Sequence, residues 1–387
     1  MLAMVRWSGS LVPLVLDALH ARMEQIGGRW WRLGRWVPIA FDGSRSSAPR
    51  TRSNEAAFAA PSYGRGKTAR YRKKKSLGLR RERNRNRPAT PPEPQVWITL
   101  LWHMGLRLPW RWRLGPSNAS ERGHVMDMLD AGRFPKKTLF CGDAGFVGHP
   151  LWSRIRASGH HFLVRVGRNV PLLTESAVSS FDPPDADGTV LCWPKEAQAR
   201  HLPPLRLRLL KIRLGKTPMW MLTSVLDPEQ LTAAQVVRLY TLRWGVEVQF
   251  RGLKQTLDRA KLRCRNDRRL LVELDWSILA MAVAELFALQ EQLAAKPPKA
   301  KPYDPAKRSL AATMRALRHS LRHLRDVPRP GEDLARRLRA ARTDDYVRRQ
   351  SKRARYRKRN PDKKPLGPPH LRRLTSYEGA LLRKNNA

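Results

Sequence analysis

A chain of 387 residues, 41% of them hydrophobic, can fill the core of one large domain or two modest ones, which excludes a wholly disordered protein. Its 76 Lys and Arg against 32 Asp and Glu leave a net charge of +44, far beyond what solubility needs, so a polyanionic partner is expected. The basic residues are spread along the chain instead of gathering on one amphipathic helix, which favours nucleic acid over a membrane surface.

Cys141, Cys192 and Cys264 lie far apart without C-x-x-C spacing, which argues against a disulfide framework and a zinc finger and for a reducing compartment. The run 11–19 is broken by Pro13 and Asp17 and does not read as a signal peptide. The run 277–295 carries Glu285, Gln290, Glu291 and Gln292, so it reads as a core helix and not a membrane span. The expected location is the cytoplasm, at the nucleoid.

In chain order, residues 1–35 form a short helical remnant, with Leu11, Leu14, Leu16 and Leu19 ahead of Trp30 and Trp31. WVPIAF, 36–41, reads as a buried strand that stops at Asp42-Gly43-Ser44, although Pro38 weakens the strand and Asp-Gly is a common turn. Segment 62–87 holds Lys73, Lys74, Lys75 and five arginines from Arg80 to Arg87 with Glu82 as its one acid. It reads as a loop that orders on DNA phosphates, or else as a solubilising loop. Residues 96–103 and 106–114 read as a hairpin, 120–132 as a helix capped by Ser120, and 137–141 as a strand ending at Gly142-Asp143-Ala144-Gly145. Asp143 alone could cap the helix expected at 150–157, which a strand at 161–166 follows. The near-alternating stretches in 168–227 form a β-rich insertion, where Trp193 and Trp220 suit a buried sheet.

Residues 231–257, LTAAQVVRLYTLRWGVEVQFRGLKQTL, open on a capping box, Thr232 with Gln235, and carry apolar residues at helical spacing, so one long helix is expected. At about 100° per residue, Tyr240, Arg243, Glu247 and Lys254 share a stripe roughly 60° wide beside the apolar face. An acid on a rigid helix can ligate a hard cation while Arg and Lys beside it hold phosphate oxygens; the same residues also suit a solvated face with i,i+4 pairs. A core helix at 272–293 and an amphipathic helix at 309–324 follow. His319 and His323 in the latter lack a third ligand and a following Glu, so they read as surface or packing residues. A further helix is possible near 334–342, and the basic run 348–364 is a second phosphate-binding or solvated tail.

The spacing Y-x2-R-x3-E-x6-K resembles the signature of DDE transposases of the insertion-sequence-four family, whose Glu is the third catalytic carboxylate. The resemblance covers roughly 36–257: Asp42 with Gly43-Ser44, Asp143 in GDAGF, and Glu247 among Tyr240, Arg243 and Lys254. It implies an α/β protein with an RNase H-like catalytic core, strands one and four side by side, and a β-rich insertion before the last catalytic helix. On this reading the core occupies 36–167 with its basic loop at 62–95, the insertion 168–231, the catalytic and core helices 232–296, and a basic region 297–387. The implied activity is cut-and-paste DNA transposition, with Asp42, Asp143 and Glu247 holding two Mg²⁺ or Mn²⁺ ions. Tyr240, Arg243 and Lys254 would bind phosphates of the transposon end, and Trp193 or Trp220 would stack on a displaced base. Lys73, Lys74 and Lys75 would add affinity for DNA, the transposon ends and target being the partners, with a homodimer on paired ends and no membrane. The family carries a larger domain ahead of its first acid, where this sequence has 41 residues, so a truncated or inactive remnant is expected as one outcome. An RNase H-like nuclease without joining, and a non-catalytic basic nucleic-acid-binding protein, remain the alternatives.

Overall fold

The computed structural model describes residues 2–59, 93–215, 217–295, 303–324, 333–343 and 367–385. The basic run 62–87, with Lys73, Lys74 and Lys75, lies outside them, as does 348–364.

The principal elements, in chain order and leaving aside the short helices Arg52–Phe58, Lys195–Ala199 and Leu334–Arg339, are α1 (Leu2–Gly27), β1 (Val37–Ser47), β2 (Gln95–His103), β3 (Leu108–Gly115), α2 (Glu121–Ala131), β4 (Thr138–Gly142), α3 (His149–Ala157) and β5 (His161–Val166). Then come β6 (Pro171–Thr174), β7 (Asp187–Cys192), β8 (Leu205–Leu214), β9 (Thr217–Thr223), α4 (Ala233–Arg243), α5 (Gly245–Arg251), α6 (Asp267–Ala294), α7 (Leu310–Arg322), β10 (His370–Arg373) and α8 (Ser376–Asn385). Among the described residues the strands form a single sheet in the order β10-β6-β7-β8-β9-β5-β4-β1-β2-β3.

β1 pairs parallel with β4, placing Ala40 opposite Cys141, and antiparallel with β2, placing Asp42 opposite Leu100. Side chains alternate across β1. Val37, Ile39 and Phe41 face one apolar core with Phe140, Phe146 and Trp152. Trp36 and Ala40 face the other with Leu139, Cys141, Leu239 and Val246. α1 packs its Leu16, Leu19 and Met23 into the first of these cores.

One strand boundary changes: β1 does not stop at Asp42-Gly43-Ser44 but runs on to Ser47, because its backbone continues to pair with β2 as far as Ser47 opposite Gln95. The strands within 168–231 extend the same sheet, with β9 joining β5 antiparallel. β10, from the basic C-terminal region, then adds a parallel strand beyond β6.

The single helix expected over 231–257 is broken into α4, α5 and a π-helical turn at Gly252–Thr256. The capping box on Thr232 forms as the spacing predicts. The break lies at Trp244-Gly245, where a Cβ on Gly245 would stand 2.1 Å from the Trp102 ring and 2.8 Å from an Arg107 guanidinium nitrogen. A second close approach follows at Gly252, whose Cβ would meet Leu310 at 2.6 Å. Packing against β2 and α7 sets the local path here, overriding the uniform helical period of the sequence. No helix among the described residues is long and apolar enough to cross a membrane.

Candidate active site

The site forms where β1 and β4 run parallel and α5 lies across them. Asp42 is carried inside β1, and its Oδ1 accepts a 2.8 Å hydrogen bond from the Gly43 N–H. Asp143 follows the last residue of β4, and its Oδ1 accepts a 2.7 Å bond from the Gly145 N–H. Glu247 sits in the first turn of α5 and lines, with Asp42, Gly43, Ser44, Phe250, Arg251, Lys254 and Gln255, an open cleft of about 420 Å³. Strand pairing thus sets the two aspartates side by side, and the shortened helix brings the glutamate to them.

Burial, and then the neighbouring Asp143 and Glu247 carboxylates, push the Asp42 carboxyl up to about 6, while the Gly43 N–H and the Arg243 guanidinium pull it down. A fourth acid shares the site. Glu121, the first residue of α2, is pushed up to about 7 by burial and then by Asp42 and Asp143, with Arg45 opposing. The sequence reading missed Glu121, because an acid in the first turn of a helix is ordinary and nothing in its spacing links it to 42 or 143.

Among the described residues, no three His, Cys, Asp or Glu side chains stand together closely enough to hold a metal ion as placed. The donor chemistry nevertheless fits a hard divalent cation: all the acids offer carboxylate oxygens, and their mutual repulsion is what a cation relieves.

The four residues of the Y-R-E-K spacing take different stations. Lys254 reaches across the cleft and donates a 2.7 Å hydrogen bond to Ser44 Oγ, its ammonium pKa lowered by burial. Arg243 is 3% exposed and lies near the rings of Tyr240 and Trp244, its guanidinium carbon 5.3 and 5.4 Å from their centroids. Among the described residues its Nε has no hydrogen-bond partner. Tyr240 is buried in the core beside it. Arg243 therefore acts on the site from beneath, through its charge on Asp42. Trp244 and Val248, either side of Glu247, are half exposed.

Neither tryptophan expected to stack on a base lies at this cleft. Trp193 is buried, packs with Leu173, Leu191 and Leu382, and donates its indole N–H to the Leu202 carbonyl at 2.8 Å. Trp220, on β9, is half-buried with Lys211 Nζ 5.3 Å from the centre of its ring. Trp193 thus takes the buried packing role of a large aromatic next to a strand, while Trp220 stays half-buried on its strand.

No curated protein matches this chain. A solved structure, the cryo-EM structure of the piggyBac transposase synaptic complex with hairpin DNA, is similar at a TM-score of 0.41 and 12% identity. That likeness covers 82% of this chain and 59% of the other, so the chain spans well under two thirds of that protein's length. Residues 100–283 match the family model described as the transposase DDE domain, a span that holds Asp143, Glu247 and Glu121 and leaves out Asp42, and the match supports a DDE transposase.

Proposed function

We propose that this protein is a cut-and-paste DNA transposase with an RNase H-like core, cleaving DNA at the ends of a mobile element and joining the freed 3′ ends to a target. The observation that carries the reading is that Asp42 and Glu247, more than two hundred residues apart, line one cleft, and that the Asp143 and Glu247 carboxylates both lie near enough to Asp42 to push its carboxyl up. The order β3-β2-β1-β4-β5, with β1 parallel to β4 and β4 to β5 and the first three strands antiparallel, supports the RNase H-like assignment.

Asp42, Asp143 and Glu247 would hold Mg²⁺ or Mn²⁺. Bound there, two such ions supply Lewis acidity at the scissile phosphate and a site where the attacking oxygen loses its proton. The chain's own residues do the rest. Each aspartate has one oxygen held by a backbone N–H, Asp42 by Gly43 and Asp143 by Gly145, which leaves the other for a ligand. Lys254 and Arg251, on the cleft wall, hold phosphate oxygens of the DNA and offset the charge that builds on phosphorus. Arg243 stabilises the ionised form of Asp42. The family resemblance implies two copies on paired DNA ends, with the chain's excess positive charge supplying affinity for both ends and target.

The test is Mg²⁺-dependent cleavage and joining of a labelled duplex carrying the element's end, with wild type beside Asp143→Asn. Loss of both steps in the variant with DNA binding retained is the expected result. Cleavage without joining by the wild type would identify a nuclease, and equal binding with no cleavage by either protein would leave a binding protein.

A further inference from the structure

We propose that Gln249 is a positioning residue for Glu247, held in one direction by a buried polar cluster of Trp102, Glu285 and Arg308. The inference rests on the reading above, in which Glu247 serves the cleft. Among the described residues no hydrogen bond or salt bridge reaches the Glu247 carboxylate, so the backbone of α5 sets its place. That backbone has few constraints of its own. α5 is a helix of 7 residues, parted from α4 at Trp244 and followed by the π-helical turn, so no long helix fixes its rotation. Val246 and Phe250 pack into the core, but apolar contact is non-directional.

At about 100° per residue, Gln249 projects roughly 200° away from Glu247, into the core, while Glu247 is exposed at the cleft. Both ends of the buried Gln249 amide are engaged. Its Oε1 accepts from the Trp102 indole N–H at 3.2 Å, and its Nε2 donates to Glu285 Oε2. Glu285 is buried in α6; burial pushes its carboxyl up, and Arg308, then Gln249, oppose the shift. Arg308, just ahead of α7, is buried as well. Its Nε lies 3.5 Å from Glu285 Oε1, and its terminal nitrogens donate to the carbonyls of Leu106, at 3.2 Å, and Arg107 in the β2–β3 turn. β2, α6 and the segment ahead of α7 thus converge on one amide of α5. The Trp102 ring that serves Gln249 is also the one that leaves no room for a Cβ at Gly245, so both turns of α5 are set against one side chain. Apolar residues of the same volume are commonly as stable as a buried ion pair, so what these polar groups add is direction.

The experiment compares wild type, Gln249→Met, Glu285→Gln and Leu289→Ala by amide hydrogen exchange without DNA and by Mg²⁺-dependent cleavage of the labelled duplex. Gln249→Met fills similar space with neither hydrogen bond. Leu289→Ala, one turn further along α6 and buried in the other core, is the control for lost stability alone. In Gln249→Met, exchange at 245–251 should quicken about tenfold relative to α4, and kcat should fall about tenfold to a hundredfold while KM for DNA stays within about twofold. Glu285→Gln, whose amide offers one acceptor oxygen where the carboxylate offers two, should shift exchange and kcat the same way by a smaller factor. Leu289→Ala should lower Tm and leave both as in wild type. Wild-type exchange or wild-type kcat in Gln249→Met overturns the proposal, as does an equal loss of kcat in Leu289→Ala. If wild type cuts nothing while exchange at 245–251 still responds to Gln249→Met, the hold on α5 stands and the transposase reading falls. Should Gln249→Met fail to fold, as its circular dichroism would reveal, Glu285→Gln decides the question.

Discussion

Arg243 and Lys254 share one sequence signature, yet they take different places at the site. Lys254 lines the cleft and Arg243 is buried near the Tyr240 and Trp244 rings. Only the first is placed to touch a phosphate. Replacing a cation that touches phosphate lowers the slope of log affinity against log salt by about 0.9, the signature of one fewer counterion released. Lys254→Gln should therefore lower that slope by about that amount, and Arg243→Gln should leave it unchanged while reducing cleavage. Equal slope losses in the two variants would put the Arg243 guanidinium on the DNA after all. The helical stripe that groups these residues was legible in the sequence, whereas which of them face water was not, since burial depends on what packs over the helix.

At the scale of elements, short-range signals predicted well what short-range forces decide. The capping box at Thr232 and the cap at Ser120 form where their spacing places them, since each needs only a few neighbouring residues. The path of residues 231–257 was not legible, because its break depends on Trp102, more than a hundred residues earlier. The C-terminal addition to the sheet was also hidden. β10 is held there by α8, where Glu378 accepts two hydrogen bonds from Arg372, at 2.7 and 2.6 Å, and one from the Thr375 N–H at 3.0 Å. These bonds, the Arg372 pair first, hold the Glu378 carboxyl down at about 2, below its ordinary 4.5. A depressed acid stabilises the fold fully above about pH 4.5 and loses that contribution as pH falls toward 2. Glu378→Gln should speed amide exchange in 370–373 and 171–174 at pH 7, by an amount near 1–2 kcal/mol of local stability given the exposure of Arg372. The difference from wild type should shrink by pH 3. Unchanged exchange at pH 7 would show that β10 is held by its backbone pairing alone.

For the molecule as a whole, the net charge of +44 should make any binding to nucleic acid steeply salt-dependent, whatever the chemistry of the cleft. Lys73, Lys74 and Lys75, if they touch phosphate, contribute up to about 2.7 to that slope, so their joint replacement by Gln should lower it by as much while Mg²⁺-dependent cleavage at low salt persists. Fluorescence anisotropy across a salt series measures the first quantity and a cleavage assay the second. An unaltered slope would make the run a solubilising one.

Composition and periodicity sufficed to mark a basic chain with strands and helices, because charge and helix or strand period are properties of the chain itself, whereas Asp42, Asp143 and Glu247 were singled out by the family resemblance. The tertiary structure alone decided that β6 to β10 extend one sheet, that Arg243 is buried close to Asp42, and that Glu121 comes close to Asp42 and Asp143. Those facts depend on contacts between residues far apart in the chain, and the close approaches that glycine allows at 43, 145 and 245 leave no local pattern from which to read them.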